Sequence, residues 1–253
     1  MIDLHSHILY GLDDGPARLE GSLGIAHAAA ADGIVAIAAT PHVRDDYPTS
    51  AAAMGAAVAE LREALTSEDI PLALHTGGEI ALDRLERLDE DELRHFGLAG
   101  SRYLLLEFPY RGWPLGLPQQ LFELQAAGFL PVLAHPERNP DVIAEPERLA
   151  PLIAAGAVVQ VTAASLDGRL GKRPQRTGLE LVRRGLAHLI ASDAHAPSIR
   201  GVGMSAAADA IGNADLARRL TVDVPAAIVA DEPLPELPVT TPPRRRAWWS
   251  LRL

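Results

Sequence analysis

The 253-residue chain contains no cysteine. That absence removes a disulfide framework, a zinc ribbon and thiol chemistry together, and leaves no need for an oxidising compartment. Aromatic residues are scarce, at 4%, so a core has to be packed from Ala, Leu, Val and Ile, a bias that suits helices laid closely on a sheet. No stretch of about 20 apolar residues is free of charge, which argues against a membrane span. The opening MIDLHSH carries polar, ionisable side chains where a signal peptide would carry a basic segment and an apolar run, so a cytoplasmic location is expected. Positive charge is short as well. A net charge of −10 disfavours duplex nucleic acid, and no basic track for a single strand is evident. Bound divalent cations could still make an acidic protein locally positive.

Hydrophobic residues make up 48% of the chain, and their arrangement is regular. About seven short apolar runs recur, at Met1 to Leu4, Ile34 to Ala39, Pro71 to Leu74, Tyr103 to Leu106, Leu130 to Ala134, Ala157 to Val161 and Ala187 to Ala191. Between them lie helically patterned segments: Arg18 to Ala31, Ala51 to Leu65, Gln119 to Ala127, Pro146 to Ala154 and Thr177 to Arg184. Gly33, Gly128, Gly156 and Gly185 stand where a left-handed cap would end a helix and return the chain. Alternation of β and α with continuous apolar runs predicts an α/β fold on a parallel sheet, either open and doubly wound or closed into a barrel. The length suits one domain, expected over residues 1–231. The remainder, 232–253, reads EPLPELPVTTPPRRRAWWSLRL and is expected to be a flexible extension whose prolines exclude helix and central strand. A basic, aromatic end could instead touch an acidic membrane surface or a partner.

Each apolar run is followed by polar residues. In order these are His5 and His7, Thr40 and His42, Glu79, Glu107, His135, Thr162, and Asp193 with His195. In parallel β/α folds the carboxyl ends of the strands face one side, so residues far apart in sequence converge there. His5 and His7, two apart on a strand, point to the same face and can grip one cation; Asp193 and His195 repeat the spacing. Imidazole with carboxylate suits first-row divalent ions, and a carboxylate such as Glu79 could bridge two of them. Asp13 and Asp14 add oxygen ligands from the loop after His7. HxH or DxH alone is a weak signal; ligands at nearly every strand end are a strong one, because ionisable groups are costly to gather without a purpose. His27, His75, His95 and His188 lack that placement and are expected at the surface or in structural hydrogen bonds. Arg138 and Arg200, in loops on the ligand side, suit phosphate through their planar forks.

MIDLHSHILYGLDDGP, followed in order by TPHV, GGEI, LLLEFP, LAHPERN and IASDAH, resembles the polymerase-and-histidinol-phosphatase (PHP) family, and within it the bacterial tyrosine-protein phosphatases of capsular and exopolysaccharide loci. The likeness runs from residue 1 to about residue 205. It implies a distorted seven-stranded (β/α)7 barrel holding three divalent metal ions, commonly Mn2+, with Fe, Zn or Co as substitutes. By that likeness His5, His7, Glu79 and Asp193 hold the first ion; Glu79, Glu107 and His135 the second, with Glu79 bridging; and Asp14, His42 and His195 the third. Arg138 and Arg200 match positions expected to bind phosphate as catalytic residues. The implied reaction is phosphomonoester hydrolysis by a metal-activated water or hydroxide, on phosphotyrosine of a protein such as a tyrosine autokinase. The alternatives are a small-metabolite phosphatase of the histidinol-phosphate kind and a noncatalytic regulatory module. After His42 the stretch VRDDYP departs from the more basic or histidine-rich loop of several relatives, and Tyr47, Tyr110, Arg111 and Trp113 could line an aromatic-accepting pocket.

Overall fold

A computed structural model describes residues 1–197 and 200–235. Residues 236–253, most of the expected C-terminal extension, lie outside the described residues. Glu232 to Pro235 lie against the body: the Tyr103 hydroxyl donates to the Glu232 carbonyl at 3.0 Å and Arg219 donates to the Pro235 carbonyl at 2.6 Å.

The strands are β1 (Ile2–Ser6), β2 (Ala36–Ala39), β3 (His42–Val43), β4 (Ala73–Thr76), β5 (Glu79–Ala81), β6 (Tyr103–Glu107), β7 (Leu130–Ala134), β8 (Val158–Thr162) and β9 (Leu189–Ala191). They form two parallel sheets, ordered β1-β2-β4 and β3-β5-β6-β7-β8-β9. The apolar runs near residues 34–39 and 71–74 thus each lead into a pair of short strands. Between β2 and β3 stands Pro41, which has no N–H to give to a ladder, and between β4 and β5 stand Gly77 and Gly78, which have no side chains to pack. Beyond the ladders, the His7 amide donates to the Ala194 carbonyl at 2.8 Å and the Asp193 amide to the His5 carbonyl at 2.8 Å, tying the end of β1 to the segment after β9.

From β6 to β9, alternate residues bury into two separate apolar clusters. Leu104, Leu106, Leu133, Val159 and Ile190 face the cluster shared with the helices. Tyr103, Leu105, Val132, Val158 and Leu189 belong to a second cluster that also contains Val224 and Ile228 of the helix Val224–Val229. Burial on both faces is why these strands read as unbroken hydrophobic runs.

The helix Ala51–Ser67 shows how the outer layer is specified. Ser50 caps it, its side chain accepting from the Ala53 amide, and Met54, Val58, Leu61 and Leu65 recur on the buried face. The helix expected over Pro146 to Ala154 is instead a 3-10 turn, Pro146–Leu149, running into a short helix, Ala150–Ala154, with Pro151 in its first turn. The helices Glu90–His95, Met204–Ile211 and Ala214–Arg218 were not anticipated by the apolar pattern. Gly128 and Gly156, at φ 88° and 95°, turn the chain from helix to strand as expected.

Candidate metal centre

The residues expected as ligands, Asp14 apart, lie near the carboxyl end of a strand or shortly beyond one, two of them opening the short strands that follow β2 and β4. His5 is in β1 and His7 follows it; His42 opens β3, Glu79 opens β5 and Glu107 closes β6; His135 follows β7; Asp193 and His195 follow β9. Two of these positions need unusual backbone. His135 and Asp193 have φ of 40° and 52°, a left-handed conformation costly for a side-chain-bearing residue and typical of sites where a side chain must be aimed. All of these side chains are buried; Asp14, from the loop after β1, is partly exposed.

Their ligating atoms gather into four overlapping groups: His7, Asp14, His42 and His195; His5, His7 and Asp193; His5, Glu79 and His135; and His42, Glu79 and Glu107. Together the groups contain all nine expected ligand residues. The His5 and His7 Nε2 atoms are 3.3 Å apart. Glu79 lies at the centre. Its Oε1 is 2.9 Å from His135 Nε2, and its Oε2 is 3.4 Å from His5 Nε2, 3.3 Å from His7 Nε2 and 3.0 Å from His42 Nδ1. Despite those approaches, Glu79 Oε2 and His42 Nδ1 make no hydrogen bond among the described residues. Buried polar atoms are seldom left without partners. A cluster of nitrogen and carboxylate lone pairs aimed at shared space, with no thiolate among them, fits hard-to-borderline divalent cations.

Burial disfavours the charged form of Asp193, yet Arg138 and the surrounding imidazoles outweigh it and hold the carboxyl well below the usual range. Glu79 is likewise held well below its ordinary value, the neighbouring histidines overcoming its burial. Glu107 goes the other way: burial and the nearby Glu79 carboxylate raise it.

Among the residues that support the ligands, Gln160 and Arg44 were not singled out by sequence, and Asp13 was expected as an oxygen ligand. Asp13 is in none of the four groups. Its Oδ2 accepts from His7 Nδ1 at 2.6 Å and from the His42 amide at 3.0 Å, while Oδ1 accepts from the Gly15 amide. It therefore orients His7 rather than offering a ligand of its own. Gln160, buried in β8, faces His5 Nδ1 with Oε1 at 3.1 Å and accepts the His135 amide at 3.2 Å. The one available signal was a lone polar side chain inside the run VVQVT. Arg44 donates to Glu107 Oε1 at 3.0 Å and grips Asp46 with its other nitrogens.

Arg138 donates to Asp193 Oδ2 at 2.6 Å and to the Thr162 hydroxyl at 2.8 Å, and its Nη1 lies 3.4 Å from the Tyr110 hydroxyl. Arg200 is more open, with Nη1 3.1 Å from Asp14 Oδ2 and Nη2 beside His195 Nε2. Tyr110 stacks on His135 with ring centroids 5.4 Å apart, and Tyr47 on His42 at 5.8 Å. Trp113 packs edge-on against Phe108, and Arg111 is exposed. His188 is a buried structural histidine whose Nδ1 accepts from the Val159 amide; His27 and His95 are exposed and His75 is partly so.

A family model described as capsular polysaccharide synthesis, CpsB/CapC, matches residues 1–230. The chain is 39% identical over 196 residues to tyrosine-protein phosphatase YwqE of Bacillus subtilis (strain 168), covering 77% of each chain. It is 30% identical over 243 residues to tyrosine-protein phosphatase CpsB of Streptococcus pneumoniae, covering 92% of this chain and 99% of that one. Crystal structures of YwqE from Bacillus subtilis and CpsB from Streptococcus pneumoniae are described as those of unique metal-dependent tyrosine phosphatases. The match to them has a TM-score of 0.88 and 34% identity, over 96% of this chain and 100% of that one.

Proposed function

Because the chain belongs to the CpsB/CapC family of capsular polysaccharide synthesis, we propose that it is a metal-dependent protein-tyrosine phosphatase acting in capsule or exopolysaccharide production. The observation that carries this reading is the orphaned Glu79 carboxylate oxygen, surrounded by the nitrogens of His5, His7 and His42 in a fold shared with metal-dependent tyrosine phosphatases.

On this reading His5, His7, Glu79 and Asp193 hold a first divalent ion, Glu79, Glu107 and His135 a second, and Asp14, His42 and His195 a third, Mn2+ being the expected metal. The overlapping groups support one shared centre, Glu79 standing with His5 and His135 in one group and with His42 and Glu107 in another, while the division among three ions rests on the resemblance. We also read the nine strands as seven staves of one barrel, β2 with β3 and β4 with β5 each making a single interrupted stave. The hydrogen bonds between the end of β1 and the segment after β9 support closure.

When bound, such ions neutralise phosphoryl oxygens and supply a nucleophile from water at neutral pH. The chain's own part is orientation. Asp13 keeps a proton on His7 Nδ1, so that Nε2 is the free nitrogen toward the cluster, and Gln160 Oε1 does the same for His5. Arg138 holds Asp193 ionised and in place, and together with Arg200 is assigned to the phosphoryl oxygens. The substrate assigned is a phosphotyrosine protein, of which a tyrosine autokinase is the expected example. We assign this chain a cytoplasmic site of action. Among the described residues no helix is long and apolar enough to cross a membrane.

The test is phosphate release from a phosphotyrosine peptide by metal-free protein before and after Mn2+ is added, beside a His5→Ala, His7→Ala variant. Release that needs Mn2+ and is absent from the variant is expected. Release from histidinol phosphate alone, or none with any first-row ion, would overturn the assignment.

A further inference from the structure

A cleft of about 540 Å³ opens directly from the metal centre at Glu107. Such a volume falls among small-molecule sites, roughly 300–1,000 Å³. One wall is the hairpin turn after β3, where Arg44 and Tyr47 exchange backbone hydrogen bonds. Asp45 of that turn accepts from Arg84 and Arg87 of the 3-10 segment Leu82–Arg87, whose Leu82 and Asp83 also line the cleft. The opposite wall is the loop Pro109 to Pro114, carrying Tyr110 and Trp113. Trp113 is anchored by Phe108 and by the Arg148 guanidinium 4.3 Å from its ring centroid.

We propose that this cleft receives the leaving-group side of the ester, the tyrosyl ring and its adjoining peptide, against Tyr110, Trp113 and Leu82. The proposal rests on the phosphatase reading and adds to it the element that selects aryl over alkyl phosphates. Three observations point the same way. The cleft shares Glu107 with the metal centre, and Tyr110 stacks on the expected ligand His135, so a ring bound there adjoins the reacting phosphoryl group. Its lining sets Tyr110, Trp113 and Leu82 beside charged residues that include Arg44, Asp83 and Arg111, whereas the cleft of about 390 Å³ at Asp14, His195 and Arg200 has no tyrosine, tryptophan or phenylalanine in its lining. Finally, Arg44, which stands at the inner corner, already spends its nitrogens on Asp46 and Glu107. It therefore helps to shape that corner. Tyr47, by contrast, stacks on His42 and does not line this cleft.

Trp113 also supplies the test, since the only other tryptophans in the chain are Trp248 and Trp249. In Mn2+-loaded full-length protein carrying Trp248→Phe and Trp249→Phe, Trp113 becomes the sole indole reporter. A peptide bearing phosphonomethyl-phenylalanine, which cannot be hydrolysed, should inhibit phosphotyrosine hydrolysis competitively and shift or quench Trp113 emission with the same concentration dependence. A phosphoserine peptide should do neither. In a companion variant, Trp113→Ala should raise KM for the phosphotyrosine peptide about three- to tenfold, as expected for losing one aromatic contact, with a smaller change in kcat. Competitive inhibition with unchanged Trp113 emission, or an unaltered KM in Trp113→Ala, would place the ring elsewhere and overturn the proposal while leaving the phosphatase reading intact. Failure of wild-type protein to hydrolyse the phosphotyrosine peptide would instead overturn the reading beneath it.

Discussion

The imidazoles of the centre differ in what stands behind them. His7 is backed by a carboxylate, Asp13, at 2.6 Å, and His5 faces a neutral amide, Gln160, at 3.1 Å. Hydrogen bonds of this kind fix the ring tautomer and raise the basicity of the ligating nitrogen, and their loss typically weakens metal binding by about 10–100-fold. Asp13→Asn keeps an acceptor for the Gly15 amide but removes the charge behind His7. Its retention of Mn2+ against a chromogenic chelator should fall by about that factor, with Gln160→Leu giving a second, independent loss. Retention equal to wild type in both would show these residues to be loop and strand supports only. The expected ligand residues other than Asp14 could be picked out in the sequence because each stands shortly after an apolar run, and the structure gathers them, with Asp14, into overlapping groups. The partners could not be picked out in this way. Gln160 meets His5 across 155 residues of chain, and nothing near Asp13 distinguishes an oxygen that will hold His7 from one that will hold a cation.

At the level of elements, the apolar runs foretold where the strands would lie better than how they would be divided. Pro41 and the Gly77-Gly78 pair split two of them, effects visible in the residue types but subordinate there to hydrophobicity. The helices from Met204 onward lie beyond Ala191, where the last apolar run ends and no further strand brackets a helix. Where a local signal is strong it is also testable. The Ser50 side chain accepts from the Ala53 amide at 3.2 Å and is the first fixed point of the helix Ala51–Ser67. Ser50→Ala should lower unfolding stability by about 1 kcal/mol, read as a shift of the urea midpoint with an unchanged slope. Since Ser50 is outside all four ligating groups, phosphate release per folded molecule should be unaltered. A midpoint equal to wild type would mean that water or a neighbouring group replaces the cap at no cost.

For the molecule as a whole, the proposed ions are part of the fold's stability as well as its chemistry. Cations that bind only the native chain stabilise it in proportion to the logarithm of their concentration, by about 2.7 kcal/mol at a free concentration a hundredfold above Kd. Melting in excess Mn2+ should therefore lie several degrees above melting in chelator, and the His5→Ala, His7→Ala variant should lose most of that difference. A second global dependence is set by a residue outside the four ligating groups. His188 is 8% exposed, and burial pushes its imidazole down to about 4 from the ordinary 6.5, so the folded protein holds it neutral with Nδ1 accepting the Val159 amide. Between those two values the unfolded chain binds the proton and the folded one does not. Stability is thus unaffected by this group above about pH 6.5 and falls as the pH drops toward 4, by about 3 kcal/mol over the full interval. From pH 7 to pH 5 the loss from this group should be about 2 kcal/mol. Urea unfolding of wild type and His188→Gln at the two pH values, both in chelator, isolates it: the other titrating groups are common to both proteins, so the wild type should lose about 2 kcal/mol more than the variant. Equal losses would mean that His188 accepts a proton in the folded state, and that the strand contact it makes through Val159 opens readily in mild acid.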